Sequence, residues 1–524
     1  MPERVLFTID GAPAEGEAGG SLLAALWNAG RLAVRSSVKG EARGPLCGMG
    51  TCFECRVSVD GEPHRRACLD TVRAGMAVSL RDSRASAPEG SAPGAAEPPP
   101  DDRAEVVVVG AGPAGIAAAV HAAEAGARTV IVDEQRRPGG QVWRGEPARA
   151  ARAWLERLER SGARVIAGAT VVDASRGELL VVQGDRPLRL RFDRLVLAMG
   201  ARELFLPFPG WTLSGVVGAG GAQALLKAGG RFEGRRAVVA GSGPLLLAVA
   251  ALLERAGARV VGVAEQAPLA RLVAFAASLW RAPVRAAEGL GYAARLAGVP
   301  YRPGAWVREA TGDGTLERVV VTDGRREWAW GCDVLACGFG LVPSLELPRL
   351  LGCATTAEAV LVDARQGTSV PGVFAAGELV GIGGASQALA TGAVAGLAAG
   401  GRPVPPRLAA WRDAEAAFAA RLAHAFAPRA EVLSLARPDT LVCRCEDVPL
   451  DLLRTAGSAR EAKLRTRAGM GACQARVCGP ALARLRGFGA DSVRPPLVPV
   501  PIRDLLGDLT SPAGEAGGPG PRIA

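Results

Sequence analysis

The stretch whose reading decides the fold runs from Val106 to Glu134, VVVVGAGPAGIAAAVHAAEAGARTVIVDE. Four valines form a short continuous apolar run, the pattern of a buried parallel strand. Gly110, Gly112 and Gly115 follow at G-x-G-x-x-G spacing. The first permits a tight turn, the second lets backbone approach a pyrophosphate, and the third lets the helix pack on the strand. An Ala-rich helix then opens with free N–H groups toward the phosphates. A second strand, Thr129 to Val132, ends in Asp133 and Glu134, near the distance of about 20 residues expected of an acid on an adenosine ribose. Strand, turn, helix, strand and acid in this order predict a dinucleotide site. A ligand-free turn would leave the acid pair unexplained; either Asp133 or Glu134 could hold the ribose.

The pattern returns from Arg236, where AVVAGSGPLLLAVAALLERAGARVVGVAE ends in Glu265. Gly241 and Gly243 fit, but Leu246 stands at the third glycine position, where a bulky residue is expected to force helix from strand. This second fold would take NAD(P) or another adenine nucleotide, or persists as a structural relic. Upstream, Cys47, Cys52, Cys55 and Cys68 are spaced C-x4-C-x2-C-x12-C, the plant-type [2Fe–2S] pattern, with glycines at 48 and 50 letting the loop wrap closely. Zinc competes for four cysteines, but the spacing favours iron–sulfur. Downstream, Cys443, Cys445, Cys473 and Cys478 form C-x-C and C-x4-C, poor zinc-finger spacing. Arg444, Arg467 and Arg476 lie beside these cysteines and are expected to lower their pKa values and raise a cluster's potential.

Composition narrows the class. The chain has 524 residues and eleven cysteines, too few and too clustered for a secreted disulfide scaffold. With no signal-peptide pattern at its start, a cytoplasmic location is expected. The net charge is +10, yet the arginines are scattered and aromatics make up only 4%, so no clustered basic face for nucleic acid is legible. The uncharged run Leu379 to Gly401 has the length of a membrane span. Its glycines and polar residues favour a Gly-rich helix packed against a flavin, which leaves no transmembrane segment and leaves peripheral membrane contact open. The three histidines, His64, His121 and His424, sit beside no nucleophile. Cys332, Cys337 and Cys353 read as small hydrophobes in apolar surroundings.

Several elements carry a resemblance. Leu195 to Gly200 resembles the A-T-G element of two-dinucleotide flavoproteins, with Met199 replacing Thr. Thr368-Ser-Val-Pro-Gly-Val-Phe-Ala-Ala-Gly377-Glu378 resembles T-x-x-P-G-x-x-A-x-G-D, whose acid holds the ribityl chain of FAD in that family. Pro138-Gly139-Gly140-Gln141 suits a turn close beneath a flavin. The first 80 or so residues resemble the ferredoxin-like domain of the sarcosine oxidase alpha subunit. Residues 443–478 resemble the bacterioferritin-associated-ferredoxin-like [2Fe–2S] domain. Taken together, the chain resembles a fusion of the A and B subunits of the hydrogen cyanide synthase, opine oxidase and D-hydroxyproline dehydrogenase family.

The resemblance implies an α/β, glutathione-reductase-like flavoprotein flanked by a β-grasp ferredoxin-like domain and a small helical [2Fe–2S] domain. The expected order is a cluster domain over 1–82, a disordered linker over 83–103, and an FAD domain over 104–210 and 333–402. A second nucleotide domain is inserted over 211–332, with Cys332 to Gly340 as the strand returning to the FAD fold. A helical connector (403–438), the second cluster domain (439–490) and a tail ordered by docking (491–524) follow. Implied cofactors are FAD and two [2Fe–2S] clusters. The implied partner is a D-amino-acid-oxidase-like flavoprotein subunit that oxidises an amine or amino acid, with a quinone as one acceptor. A self-contained NAD(P)H-dependent reductase and a cluster-binding module without turnover are the alternatives. Plant-type clusters near about −400 mV would be low for electrons from an amine.

Overall fold

The computed structural model describes residues 3–80, 101–145, 148–184, 186–489, 493–502 and 505. The expected linker lies outside these up to residue 100; residues 101–103 already belong to the strand Asp101–Val109.

The N-terminal domain is a five-stranded sheet in the order Ala12–Glu17, Arg4–Ile9, Ala77–Ser79, Arg56–Val59, Glu62–Arg66. The helix Leu22–Asn28 packs on it and buries Leu22 to Trp27, with the Ser21 side chain accepting from Ala24 N at its start. The same helix ties this domain to the second nucleotide domain: Trp27 Nε1 donates to Arg231 O at 2.9 Å, and Asn28 Nδ2 to Gly229 O at 2.9 Å.

The valine run forms the centre of the first large sheet. Asp101–Val109 lies between Thr129–Asp133 and the long strand Arg186–Leu197, parallel to both. Its helix, Pro113–Glu124, is held tightly on the other side by the helix Ala385–Ala399. An added Cβ at Gly392 would lie 2.2 Å from Ala114 O, and one at Gly396 2.2 Å from Ala118 O. The glycines at 392 and 396 thus make a close helix–helix contact with the nucleotide-binding helix. No helix among the described residues is long and apolar enough to cross a membrane.

The second sheet has the order Val216–Gly218, Val334–Gly338, Arg236–Gly241, Arg259–Glu265, Tyr301–Pro303. Val334–Gly338 thus belongs to the second nucleotide fold, which corrects the expectation that it returns to the first. It pairs in parallel with Arg236–Gly241, its small apolar residues filling a central position. The crossing is made by the two-stranded ribbon of Ala201–Glu203 with Leu341–Pro343, and the return by Val373–Ala375 beside Arg186–Leu197. Cys332, Cys337 and Cys353 are buried, and burial pushes the Cys332 thiol up to about 12. Leu246 is also buried, among Val239, Val249 and Leu253.

The connector is the helix Pro406–Ala425. The C-terminal domain follows as a ribbon, Leu441–Cys443 with Val448–Pro449, and the helices Ala459–Thr466 and Cys478–Arg486. Beyond it, Leu497 N donates to Val172 O at 2.7 Å, and Val498 and Val500 pack on Val172, Leu180 and Val182 of the first sheet.

Candidate functional site

The first glycine loop is built as its spacing requires. Gly110 (φ +102°) turns the chain, and a Cβ there would sit 2.4 Å from Ala198 O. A Cβ at Gly115 would lie 1.7 Å from Gly110 O, so only glycine lets helix and strand meet. At Gly112 a Cβ would meet nothing within 4 Å, leaving open the side a pyrophosphate would approach. Asp133 faces this loop: its carboxylate accepts from Ala111 N and from Gln135 N. Burial pushes its pKa up to about 6. Glu134 turns away and pairs with Arg66 of the N-terminal domain at 2.5 Å. Beside these acids opens a cleft of about 1370 Å³ whose lining includes Glu134, Gly168, Arg66 and Val498, at the carboxyl ends of neighbouring strands. That is where an adenosine lies in such folds.

Gly140 (φ +58°) crosses directly over Gly112, a Cβ there falling 2.9 Å from Gly112 Cα. Gly200 (φ +66°) and Gly377 (φ +73°) close turns after their strands. Glu378 Oε1 accepts from Gly384 N at 2.8 Å, while its Oε2 is buried without a protein partner, as is Gln141 Oε1. Burial raises the Glu378 carboxyl to about 7. Orphaned buried acceptors at both positions, with the open side of Gly112, fit a ligand carrying pyrophosphate and hydroxyl groups such as FAD.

The eight cysteines expected as ligands fall into two sets. Cys47 touches Cys52 and Cys55 touches Cys68; likewise Cys443 touches Cys478 and Cys445 touches Cys473. Among the described residues no three or more His, Cys, Asp or Glu side chains gather around one ion position. Pairs of thiols suit a two-iron cluster, in which each iron takes two thiolates, better than four ligands around one zinc. The arginines are not the first cause of the thiol shifts, although Arg476 interacts with the Cys473 thiol and Arg444 with that of Cys52. Cys443 falls to about 7, chiefly through the Cys478 thiol, and Cys473 falls chiefly through Cys445. Arg467 pairs instead with Glu446 at 2.7 Å, Arg476 donates to Cys473 O and Leu497 O, and Arg444 turns toward the N-terminal cluster loop.

Sequence reading missed the residues that join these sites. Arg144 Nη1 donates to Gly48 O at 2.8 Å and Nη2 to Gln135 Oε1 at 2.7 Å, linking the N-terminal cysteine loop to the chain after Asp133. Arg66 Nη1 donates to Gly50 O at 3.0 Å while pairing with Glu134. Leu46 O accepts from Gly218 N at 2.8 Å. Glu203 caps the next helix by accepting from Gly220 N and Gly221 N; burial raises it to about 8. No spacing rule marks such residues, because their partners lie far away in sequence.

The second glycine loop is furnished differently. Gly241 packs on Gly338 and Gly243 N donates to Glu265, whose carboxyl burial pushes up to about 7. The end of the connector lies against this loop. Ser242 Oγ donates to Phe426 O at 2.8 Å, Gln266 Nε2 donates to Ser242 Oγ at 2.9 Å and to Ala427 O at 3.3 Å, and Arg429 N donates to Gln266 Oε1 at 3.0 Å.

The family model for pyridine nucleotide-disulphide oxidoreductases matches residues 104–395, and that for a 2Fe-2S iron-sulfur cluster binding domain matches residues 2–83. The HcnB subunit of hydrogen cyanide synthase from Pseudomonas aeruginosa is 34% identical over 71% of this chain and 90% of that protein. The A subunit of opine oxidase from Rhizobium meliloti is 34% identical over 78% of this chain and 99% of that protein. The chain belongs to the family of these two proteins. L-proline dehydrogenase from P. horikoshii shares the fold, with a TM-score of 0.70 over 96% of this chain and 98% of that one at 18% identity. As a member of this family, the chain is an FAD-dependent oxidoreductase with an N-terminal [2Fe–2S] domain. It joins in one polypeptide the ferredoxin-like and flavoprotein parts expected from sequence.

Proposed function

We propose that this chain is the electron-relay subunit of an amine or amino-acid dehydrogenase. A partner flavoprotein of the D-amino-acid-oxidase kind oxidises the substrate, and an acceptor such as a quinone receives the electrons. Two relatives are named as subunits, of hydrogen cyanide synthase and of an opine oxidase. In this reading Gly110, Gly112, Gly115, Asp133, Gly140, Gln141, Gly200, Gly377 and Glu378 hold FAD. Cys47, Cys52, Cys55 and Cys68 hold one [2Fe–2S] cluster, and Cys443, Cys445, Cys473 and Cys478 a second. A flavin exchanges electrons singly or in pairs and clusters exchange them singly, so together they convert between the two.

The observation that carries the reading is the joining of cysteine loop and flavin loop through Arg144 and Arg66. These arginines hold the cysteine loop against the chain that follows Asp133. The helices Leu269–Ser278 and Pro283–Arg295 bury no residue and, with the turn between them, expose Leu269, Val273, Trp280, Val284 and Leu290, which supports a protein partner.

The self-contained reductase is disfavoured because the chain's own Phe426 to Arg429 segment holds the polar groups of the second glycine loop. Stopped-flow mixing of the purified chain with NADH tests this. The expected result is an oxidised flavin spectrum that persists; rapid bleaching would establish the reductase.

A further inference from the structure

The two cysteine loops face each other across a buried ion-pair network. Glu54 lies between Cys52 and Cys55, and Arg444 between Cys443 and Cys445. Glu54 is fully buried and accepts from Arg35 Nη2 at 2.9 and 3.0 Å and from Arg444 Nη2 at 3.4 Å. Arg35 also donates to Arg444 O at 3.4 Å. The Arg444 guanidinium lies over the Trp211 ring, 5.0 Å from its centroid, and donates to Trp211 O at 2.9 Å. A second pair closes the contact: Arg43 meets Asp447 at 2.8 Å, and Asp447 accepts from Lys39 N at 3.1 Å.

This network leaves buried donors free. Its three arginines, Arg35, Arg43 and Arg444, are buried, while of the three carboxylates that meet them Glu54 and Asp447 are buried and Glu41, 2.7 Å from Arg43, lies at the exposed rim; the Nε of each arginine is buried without a protein acceptor. Buried donors of this kind call for an acceptor. Four thiolates and two sulfides make each [2Fe–2S] cluster a net anion rich in sulfur acceptors, and hydrogen bonds to sulfur together with net charge set cluster potentials. Positive charge on Arg444 between two anionic sites favours the reduced, more negative state of both, and negative charge on Glu54 opposes it.

We infer that the Glu54–Arg444 contact seats the two iron–sulfur sites as consecutive stations and tunes them jointly, one electron leaving the reduced cluster and entering the oxidised one with no bond made or broken. The N-terminal loop touches the chain beside Asp133 through Arg144 and Arg66, and Ala472 of the C-terminal loop lines the same cleft, so both cysteine loops border the flavin domain. The inference rests on the reading of Cys443, Cys445, Cys473 and Cys478 as a second cluster site. Glu54 and Arg444 are positioning residues: they act through the thiolates beside them.

The test uses the full-length protein with its clusters, reduced with dithionite and examined by electron paramagnetic resonance beside an iron assay. The expected result is iron for two clusters and signals that broaden and relax each other. Full iron with two independent signals overturns the inference alone. Half the iron overturns the second-cluster reading, and the inference with it. In redox titrations, Arg444→Met is expected to lower, and Glu54→Gln to raise, the midpoints of both clusters. Each change is expected to be about tenfold in the reduction equilibrium, about 59 mV for one electron. A loss of packing alone would not shift them in opposite directions. Fully loaded variants whose midpoints stay put, or move the same way, overturn it. The wild-type spin measurement needs no variant and decides even if Arg444→Met fails to fold.

Discussion

Two alanine substitutions one helical turn apart are expected to separate flavin binding from folding. Gly112 precedes the helix Pro113–Glu124 with φ −74°, a conformation any residue adopts, and a Cβ there would meet no protein atom within 4 Å. Gly112→Ala should therefore leave the flavin-free protein as stable as the parent, within about 1 kcal/mol. Its methyl group would stand where the pyrophosphate approaches. Losing one charge-assisted hydrogen bond costs about 1.5–3 kcal/mol, so FAD affinity should fall by about 10- to 100-fold. Gly115→Ala behaves otherwise. Its Cβ would lie 1.7 Å from Gly110 O, more than an ångström inside the closest contact a real Cβ makes. The helix cannot retreat, because Gly392 and Gly396 already bring the helix Ala385–Ala399 against its far side. Overpacking of this kind costs about 1–3 kcal/mol or more, so stability and FAD binding should fall together. Thermal melts of flavin-free protein and fluorescence titration with FAD measure both quantities. Native FAD affinity in Gly112→Ala, or a native melting temperature in Gly115→Ala, would refute the reasoning.

Further outcomes follow from other parts of the molecule. Cys443→Ser is expected to halve the chain's iron while sparing the N-terminal cluster's absorption; unchanged iron would show that this thiol binds none. Glu265 has a folded pKa of about 7 against 4.5 for the free side chain. Its contribution is full below about pH 4.5 and is lost as pH rises through about 7, since the folded state then binds the extra proton, a span of about 3 kcal/mol. Glu265→Gln should flatten that part of the stability profile in urea titrations, and an unchanged slope would sink the assignment. Removal of residues from 493 onward deletes the Leu497–Val172 hydrogen bond and uncovers Val172, Leu180 and Val182. A loss of about 1–3 kcal/mol is expected, read as a lower urea midpoint; an unmoved midpoint would mean that the tail contributes no stability.

What the sequence determined by itself was local. Val106 to Val109, the glycines after them and Asp133 act within one strand–turn–helix–strand unit, and their spacing fixes backbone geometry whatever surrounds it. Cysteine spacing likewise marked the two groups of cysteines that the fold brings together in pairs. Tertiary structure alone decided the rest. Parallel pairing does not show in a strand's composition, so Val334–Gly338 could be placed in the second sheet only once its neighbours were known. The cover over Ser242 comes from residues about 180 positions later, and Glu54 meets Arg444 across 390. A buried ion pair is specified by three-dimensional proximity and by the desolvation that makes each partner require the other, and neither leaves a periodic trace along the chain.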